Sequence, residues 1–324
     1  MKIFKLMIKL LTGIIIGAIA LLGLAFIVLN VMQLTAYKDY LEVKENVAKH
    51  PGLNSGYAPQ GLEYIKSIDT YITTAYSDNP NNASRIFLAN DKSFDIYNID
   101  GSKNHSHVGG IAVHETSNSL FVATEGTISR LLLSDLVTNK DNPGKIDIQE
   151  EFEVPFDAAF VFVYQDKLLT GEFYNGNQYM GKGYKFVSGE EESHALATIY
   201  DIDDLLSGTY EPIEYYALPD KVQGAAIHNG YIYFSTSYGL KNSYVYTYNL
   251  LGLTVVSSNI GGKTVDVKFL DQAHLVNSLK APWMTEDLTI NDGKLIMHFE
   301  SACNKYIIGK LYFANKIVAL DILK

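Results

Sequence analysis

Two apolar patterns divide the chain. Residues 10–34 are predominantly apolar and contain no Asp, Glu, Lys or Arg. A helix rises about 1.5 Å per residue and a bilayer's hydrocarbon core is about 30 Å thick, so this run is long enough to cross one. After Tyr37 the pattern changes to short segments in which apolar and polar positions alternate, the period of a strand with one buried face. Residues 222–239 (VQGAAIHNGYIYFSTSYG) display the unit most clearly. A small-residue box, Gln223-Gly224-Ala225-Ala226, leads through an apolar run to a turn at His228-Asn229-Gly230 and then to the alternating run Tyr231-Ile232-Tyr233-Phe234-Ser235-Thr236. Asn-Gly supplies the positive φ angles that a two-residue hairpin needs, so the unit reads as two antiparallel strands.

The unit recurs at residues 60–76, 108–125, 157–172 and 286–300. The five copies start about 50 to 65 positions apart, the spacing at which radial arrays of four-stranded sheets repeat. Third and fourth strands follow several copies, as at residues 197–202, 212–218 and 243–248. The expected fold is all-β, a five-bladed β-propeller preceded by an N-terminal transmembrane helix; six blades, one of them degenerate, is the alternative. The expected domains are a cytoplasmic N-terminus at 1–9, the transmembrane helix at 10–34, a stalk or linker at 35–56 and the propeller at 57–324. No fourth strand follows residues 316–320, so ring closure should borrow one from before Gln60, although residues 37–55 are not strongly strand-like. Residues 173–193 form the longest insertion, where Tyr174, Tyr179, Tyr184 and Phe186 suggest an adaptable contact surface and residues 190–192 a solvated charge run.

Charge gives this layout a direction. Lys2, Lys5 and Lys9 precede the apolar run, which places the N-terminus in the cytoplasm and the propeller outside by the positive-inside rule. A cleaved signal peptide would have a shorter apolar region, so an uncleaved anchor is expected. Without those lysines the formal net charge of −10 becomes −13, which argues against nucleic acid as a partner and against adsorption to an anionic bilayer. The single cysteine, Cys303, excludes an internal disulfide and is expected as a half-buried thiol at a strand end.

In a propeller the loop entering the first strand of each blade shares a face with the loop leaving the second, so box starts and second-strand ends should meet at one mouth of the central channel. The expected ligand-binding residues are Gln60, Tyr76, His107, Gln223 and Tyr238. The expected metal ligands are Glu125, Asp157, Glu172, Glu286, Asp287 and Glu300, since crowded carboxylates need a cation, a shared proton or well-placed donors, and Ca²⁺ takes six to eight oxygens. Each has a structural reading beside this one: crowding at the axis, capping of backbone groups, or contact with the neighbouring blade. His105 and His107 form an HxH that could bind metal or lie in a polar loop entering a strand. The motifs GxSxG, HExxH, the P-loop and GxGxxG are absent.

The boxes QGAAIHNGYIYFSTS and GGIAVHETSNSLFVAT resemble those of the propeller superfamily that includes NHL-repeat proteins and gluconolactonase-like and strictosidine-synthase-like enzymes. The resemblance covers the chain from about residue 58 onward as architecture. It implies, from the gluconolactonase-like members, a divalent metal in the channel, with Asp157, Glu172 and Glu286 in such a role; no residue-by-residue match to their motif can be drawn. Calcium-dependent apyrases share five blades and an N-terminal anchor as architecture only. The expected function is thus a membrane-anchored extracytoplasmic propeller binding a small molecule, a carbohydrate or a protein at its acidic channel mouth. The alternative is a calcium-dependent hydrolase or lactonase with its site in the channel, and a third reading is a structural module of an envelope complex.

Overall fold

Hairpins with one apolar face must bury it against another sheet. In the computed structural model, which describes residues 2–306, 308–311 and 314–324, they do so by packing radially. The first blade comprises strands Ala58–Ile65, Thr70–Tyr76, Arg85–Leu88 and Ser93–Tyr97, and the second Ile111–His114, Ser119–Thr124, Thr127–Leu132 and Lys145–Glu153. The third comprises Ala158–Tyr164, Lys167–Glu172, Ala195–Asp201 and Glu214–Leu218, and the fourth Val222–His228, Tyr231–Thr236, Ser243–Asn249 and Leu275–Ala281. The fifth has Thr285–Asn291, Lys294–Phe299 and Lys316–Leu320. The first strands of the five blades touch one another in cyclic order, so the array is a closed ring and the fold a β-propeller.

The ring closes through the N-terminal side. Strand Lys44–Lys49 pairs antiparallel with Lys316–Leu320, Lys44 opposite Leu320 and Lys49 opposite Lys316, and completes the fifth blade. Residues 35–56, expected to be a stalk, therefore hold a structural strand. It lies at a sheet edge with most side chains exposed, so no period-two burial pattern forms. The helix Lys38–Val43 before it is also docked: Tyr37 and Tyr40 are buried, and the Tyr40 ring meets Phe299 edge-on at 6.4 Å.

The apolar helix Lys2–Ala36 buries none of its side chains in the propeller, and its mean hydropathy of 2.8 over the most apolar window is that of a membrane span. The 173–193 insertion is more ordered than its composition suggested. Phe186–Ser188 and Glu191–Ser193 pair as a small hairpin, and Phe186 and Tyr174 are buried. A second insertion, the hairpin Thr254–Ile260 and Lys263–Phe269, leaves the fourth blade and pairs in parallel with the outer strand of the third.

The small-residue boxes follow from crowding at the axis. A Cβ on Gly109 would stand 2.0 Å from the Ala159 carbonyl oxygen, and one on Gly224 would stand 2.5 Å from the Asp287 Cα. Four of the five innermost strands carry a register shift inside the box, at Pro59/Leu62, Ala158/Phe160, Val222/Gly224 and Thr285/Leu288. A bulge of this kind re-aims side chains at the end of a strand. The turn at Asn229-Gly230 has φ of 47° and 79°, the two positive values its sequence predicts.

Candidate functional site

The bulged boxes and second-strand ends converge as the topology requires. They line a cavity of about 790 Å³ at one mouth of the channel. Of the eleven expected site residues, Gln60, Tyr76, His107, Glu125, Asp157, Gln223, Tyr238, Glu286 and Glu300 are on its wall. The insertion after the third blade's second strand adds Phe173, Gln178 and Tyr179, with the Tyr238 hydroxyl donating to Gln178 Oε1 at 3.1 Å.

Glu286 and Glu300 form the centre of the polar wall. Glu286 is only 2 % exposed, and the Glu300 carboxyl group lies close enough for its charge to act on it. Two carboxylates so close cannot both ionise cheaply, so the pair holds a proton. Burial pushes Glu300 up to about 7, against the opposing donors Tyr306 and Gln60 and the positive charge of Lys305. Burial, then the charges of Glu300 and Asp287, raise Glu286 well above the usual carboxylate range. Gln60 Nε2 donates to Glu300 Oε2 at 3.2 Å, while His107 Nε2 contacts Gln60 Oε1 at 2.9 Å and the His107 ring stacks on Tyr76 at 3.8 Å. One oxygen of Glu286, Oε1, is buried without a hydrogen-bond partner among the described residues. A buried acceptor left in that state costs about 1–3 kcal/mol.

Glu172 and Asp287 lie off the cavity. Glu172 accepts from the backbone amides of Leu196 at 2.9 Å and Lys182 at 3.2 Å and so holds the insertion to its blade. Asp287 lies on the channel axis, fully buried, and accepts from the amides of Leu62 at 3.1 Å, Ile111 at 3.3 Å and Leu288 at 2.9 Å. It therefore joins three blades. Asp157 pairs with Lys182 at 2.8 Å, and Glu125 accepts from the His107 amide at 3.2 Å. The six acids are thus spread over separate tasks, and the described residues contain no group of three or more His, Cys, Asp or Glu side chains placed to hold a metal ion. This donor set does not fit Ca²⁺, which needs six to eight converging oxygens.

His105 and His107 do not act together either, since His105 Nδ1 contacts the Asn82 carbonyl. Cys303 is fully buried rather than half-buried, and burial pushes its thiol up to about 11.

Several residues at or beneath the site carry no mark in the repeat. Lys305 and Tyr306 follow the fifth blade's second strand; Lys305 Nζ donates to the Tyr76 hydroxyl at 2.7 Å and to Asp78 at 3.0 Å, and Tyr306 hydrogen-bonds Glu300. Extending each second-strand end by a few residues would have found both. Glu63 is buried beside the axis, accepts from Thr289 Oγ1 and the Tyr64 amide, and is raised to about 7 by burial. Beneath Gln60 lies a buried imidazole pair, His50 Nε2 and His298 Nδ1, 2.7 Å apart. Their outer nitrogens face the Pro51 carbonyl at 2.8 Å and the Gln60 carbonyl at 2.9 Å. Carbonyls only accept, so three contacts call for three protons, whereas two neutral rings carry two. Burial lowers His50 to about 4 and His298 well below its usual value, so the pair is neutral near pH 7 and one contact lacks its proton.

No protein-family model matches the chain, and no curated protein matches it by sequence. Among solved structures it is similar to the glutaminyl cyclase of Myxococcus xanthus, at 10% identity and a TM-score of 0.46, over 87% of this chain and 98% of that one. An oxidoreductase-like protein (glucose dehydrogenase) of Thermus thermophilus aligns at 12% identity and 0.45, over 86% and 99%. The Dos1 propeller aligns at 12% and 0.37, over 85% and 62%. By its own sheet order and closed ring, the chain has the β-propeller fold, preceded by an N-terminal apolar helix.

Proposed function

We propose that this protein is a membrane-anchored, extracytoplasmic propeller that binds a small ligand in the cavity at its channel mouth. The observation that carries the reading is the unsatisfied Glu286 Oε1, buried on the wall of a cavity whose size is typical of small-molecule sites. Its neighbours are already paired, so a ligand donor would remove the cost of that orphaned acceptor. Amides at Gln60 and Gln223 and rings at Phe173, Tyr179 and Tyr238 supply orientation and apolar contact. The calcium-dependent hydrolase alternative is not carried forward, because its donors are dispersed.

The binding reading is tested by thermal unfolding of the full chain in detergent against amino acids, sugars, nucleotides and amines. At least one class should raise Tm for the wild type and fail to do so for Glu286→Gln; no such class means the cavity is not a ligand site. Orientation is tested by placing a cysteine at exposed Asn177 and treating intact cells with a membrane-impermeant maleimide. Buried Cys303 gives little background. Labelling only after lysis would place the propeller in the cytoplasm and end the extracytoplasmic reading.

A further inference from the structure

The ligand class follows from what the cavity wall lacks, given that the cavity is a ligand site. We infer that it takes an organic cation, a primary ammonium or an amidinium-type group on a flat apolar body, with the charged end at Glu286–Glu300 and the body against Phe173, Tyr179 and Tyr238. Three observations converge on this class.

The first is the orphaned oxygen. Glu286 Oε1 can only accept when the carboxyl group is ionised, so its missing partner is a donor, and a cationic donor makes a bond about twice as strong as a neutral one. A cation at the pair also replaces the proton that the two carboxyl groups share; the proton leaves to solvent and no covalent bond changes.

The second is the sign of the wall. Glu125, Asp157, Glu286 and Glu300 line the cavity, and the one lysine among the described lining residues, Lys305, already bonds Tyr76 and Asp78. An anionic ligand would meet carboxylates with no free ammonium group to offset them. A metal ion is disfavoured for a separate reason, since the acids do not converge as ligands.

The third is the aromatic group in the same cavity. Phe173 and Tyr179 meet edge to face with centroids 5.5 Å apart, and Tyr238 is 6.2 Å from Phe173 and 6.5 Å from Tyr179. Three rings at these spacings present both π-faces that attract a cation and apolar area that holds a flat body.

Calorimetric titration of the full chain in detergent micelles at pH 8 tests the inference with five probes: phenethylammonium, benzamidinium, 2-phenylethanol, 3-phenylpropionate and CaCl₂. The inference expects both cations to bind at least about tenfold more tightly than 2-phenylethanol and 3-phenylpropionate, and CaCl₂ to give no heat. Glu286→Gln should weaken the cations about tenfold or more while hardly changing 2-phenylethanol, and Tyr238→Ala should weaken both. Should Glu286→Gln not fold, Glu300→Gln serves the same purpose. Equal binding of 2-phenylethanol and phenethylammonium would overturn the cation class and leave the ligand site standing. Preference for 3-phenylpropionate or CaCl₂, or no binding by either cation, would also overturn it. The broad thermal-shift panel against wild type and Glu286→Gln still judges the ligand-site reading separately.

Discussion

Glu286 and Asp287 are adjacent in sequence, sit in the same bulge and are both almost completely buried, yet they belong to two different regions of the molecule. Asp287 turns to the axis, where amides from two other blades and its own strand satisfy it. Glu286 turns to the mouth, and its Oε1 has no donor among the described residues. Burial alone therefore does not distinguish a structural carboxyl group from a binding one. The count of donors that the fold itself supplies does, because an unmatched buried acceptor is tolerated only where something else can match it.

If the axis holds the fold and the mouth serves a ligand, substitutions should separate by region. The largest effect is expected for the strand that closes the ring. A chain starting at Tyr37 should unfold cooperatively in urea, whereas one starting at His50, which lacks Lys44–Lys49, should lose cooperative unfolding and expose the edge of the fifth blade. Next, Asp287→Ala orphans the Leu62 and Ile111 amides and should cost about 3 kcal/mol or more of unfolding free energy, measured by urea denaturation, since each buried unsatisfied donor costs about 1–3 kcal/mol. A loss below about 1 kcal/mol would remove Asp287 from its role at the axis. Gly109→Ala, which sets a methyl group against the Ala159 carbonyl, should cost about 3 kcal/mol by the same measurement.

The pH dependence sharpens the division. Glu63 has a folded pKa raised to about 7, so its contribution is fully present below the ordinary value of 4.5 and is lost as pH rises through 7. Glu63→Gln should remove a pH-dependent loss of the order of 3 kcal/mol between pH 4.5 and 8, seen as a flatter curve of stability against pH. His50 acts in the opposite sense. Its folded value is lowered to about 4, so its contribution is present above 6.5 and is lost as pH falls from there through 4. The smallest effect is expected at the rim, where Lys182→Met breaks the exposed pair with Asp157 and should change stability by less than about 0.5 kcal/mol. A larger loss there would mean that the mouth is structural too.

The repeat itself was legible. Five hairpin boxes, the Asn229-Gly230 turn and the apolar helix follow from period, turn chemistry and length, which are local properties of the chain. Nine of the eleven site residues could be brought to one mouth because blade geometry maps equivalent repeat positions to equivalent places. Lys44–Lys49 was not legible as a strand, because an edge strand buried on neither face keeps no alternating pattern. Glu63 and the His50–His298 pair were missed because their partners stand about 226 and 248 positions away in the chain.

The sequence by itself determined the ring of sheets, the membrane-length helix and the mouth at which the boxes open, because each depends on spacing along the chain. Only the tertiary structure decided which carboxyl group the backbone satisfies and which is left facing the cavity. That outcome depends on amides delivered by other blades, and a one-residue step through a bulge reverses it.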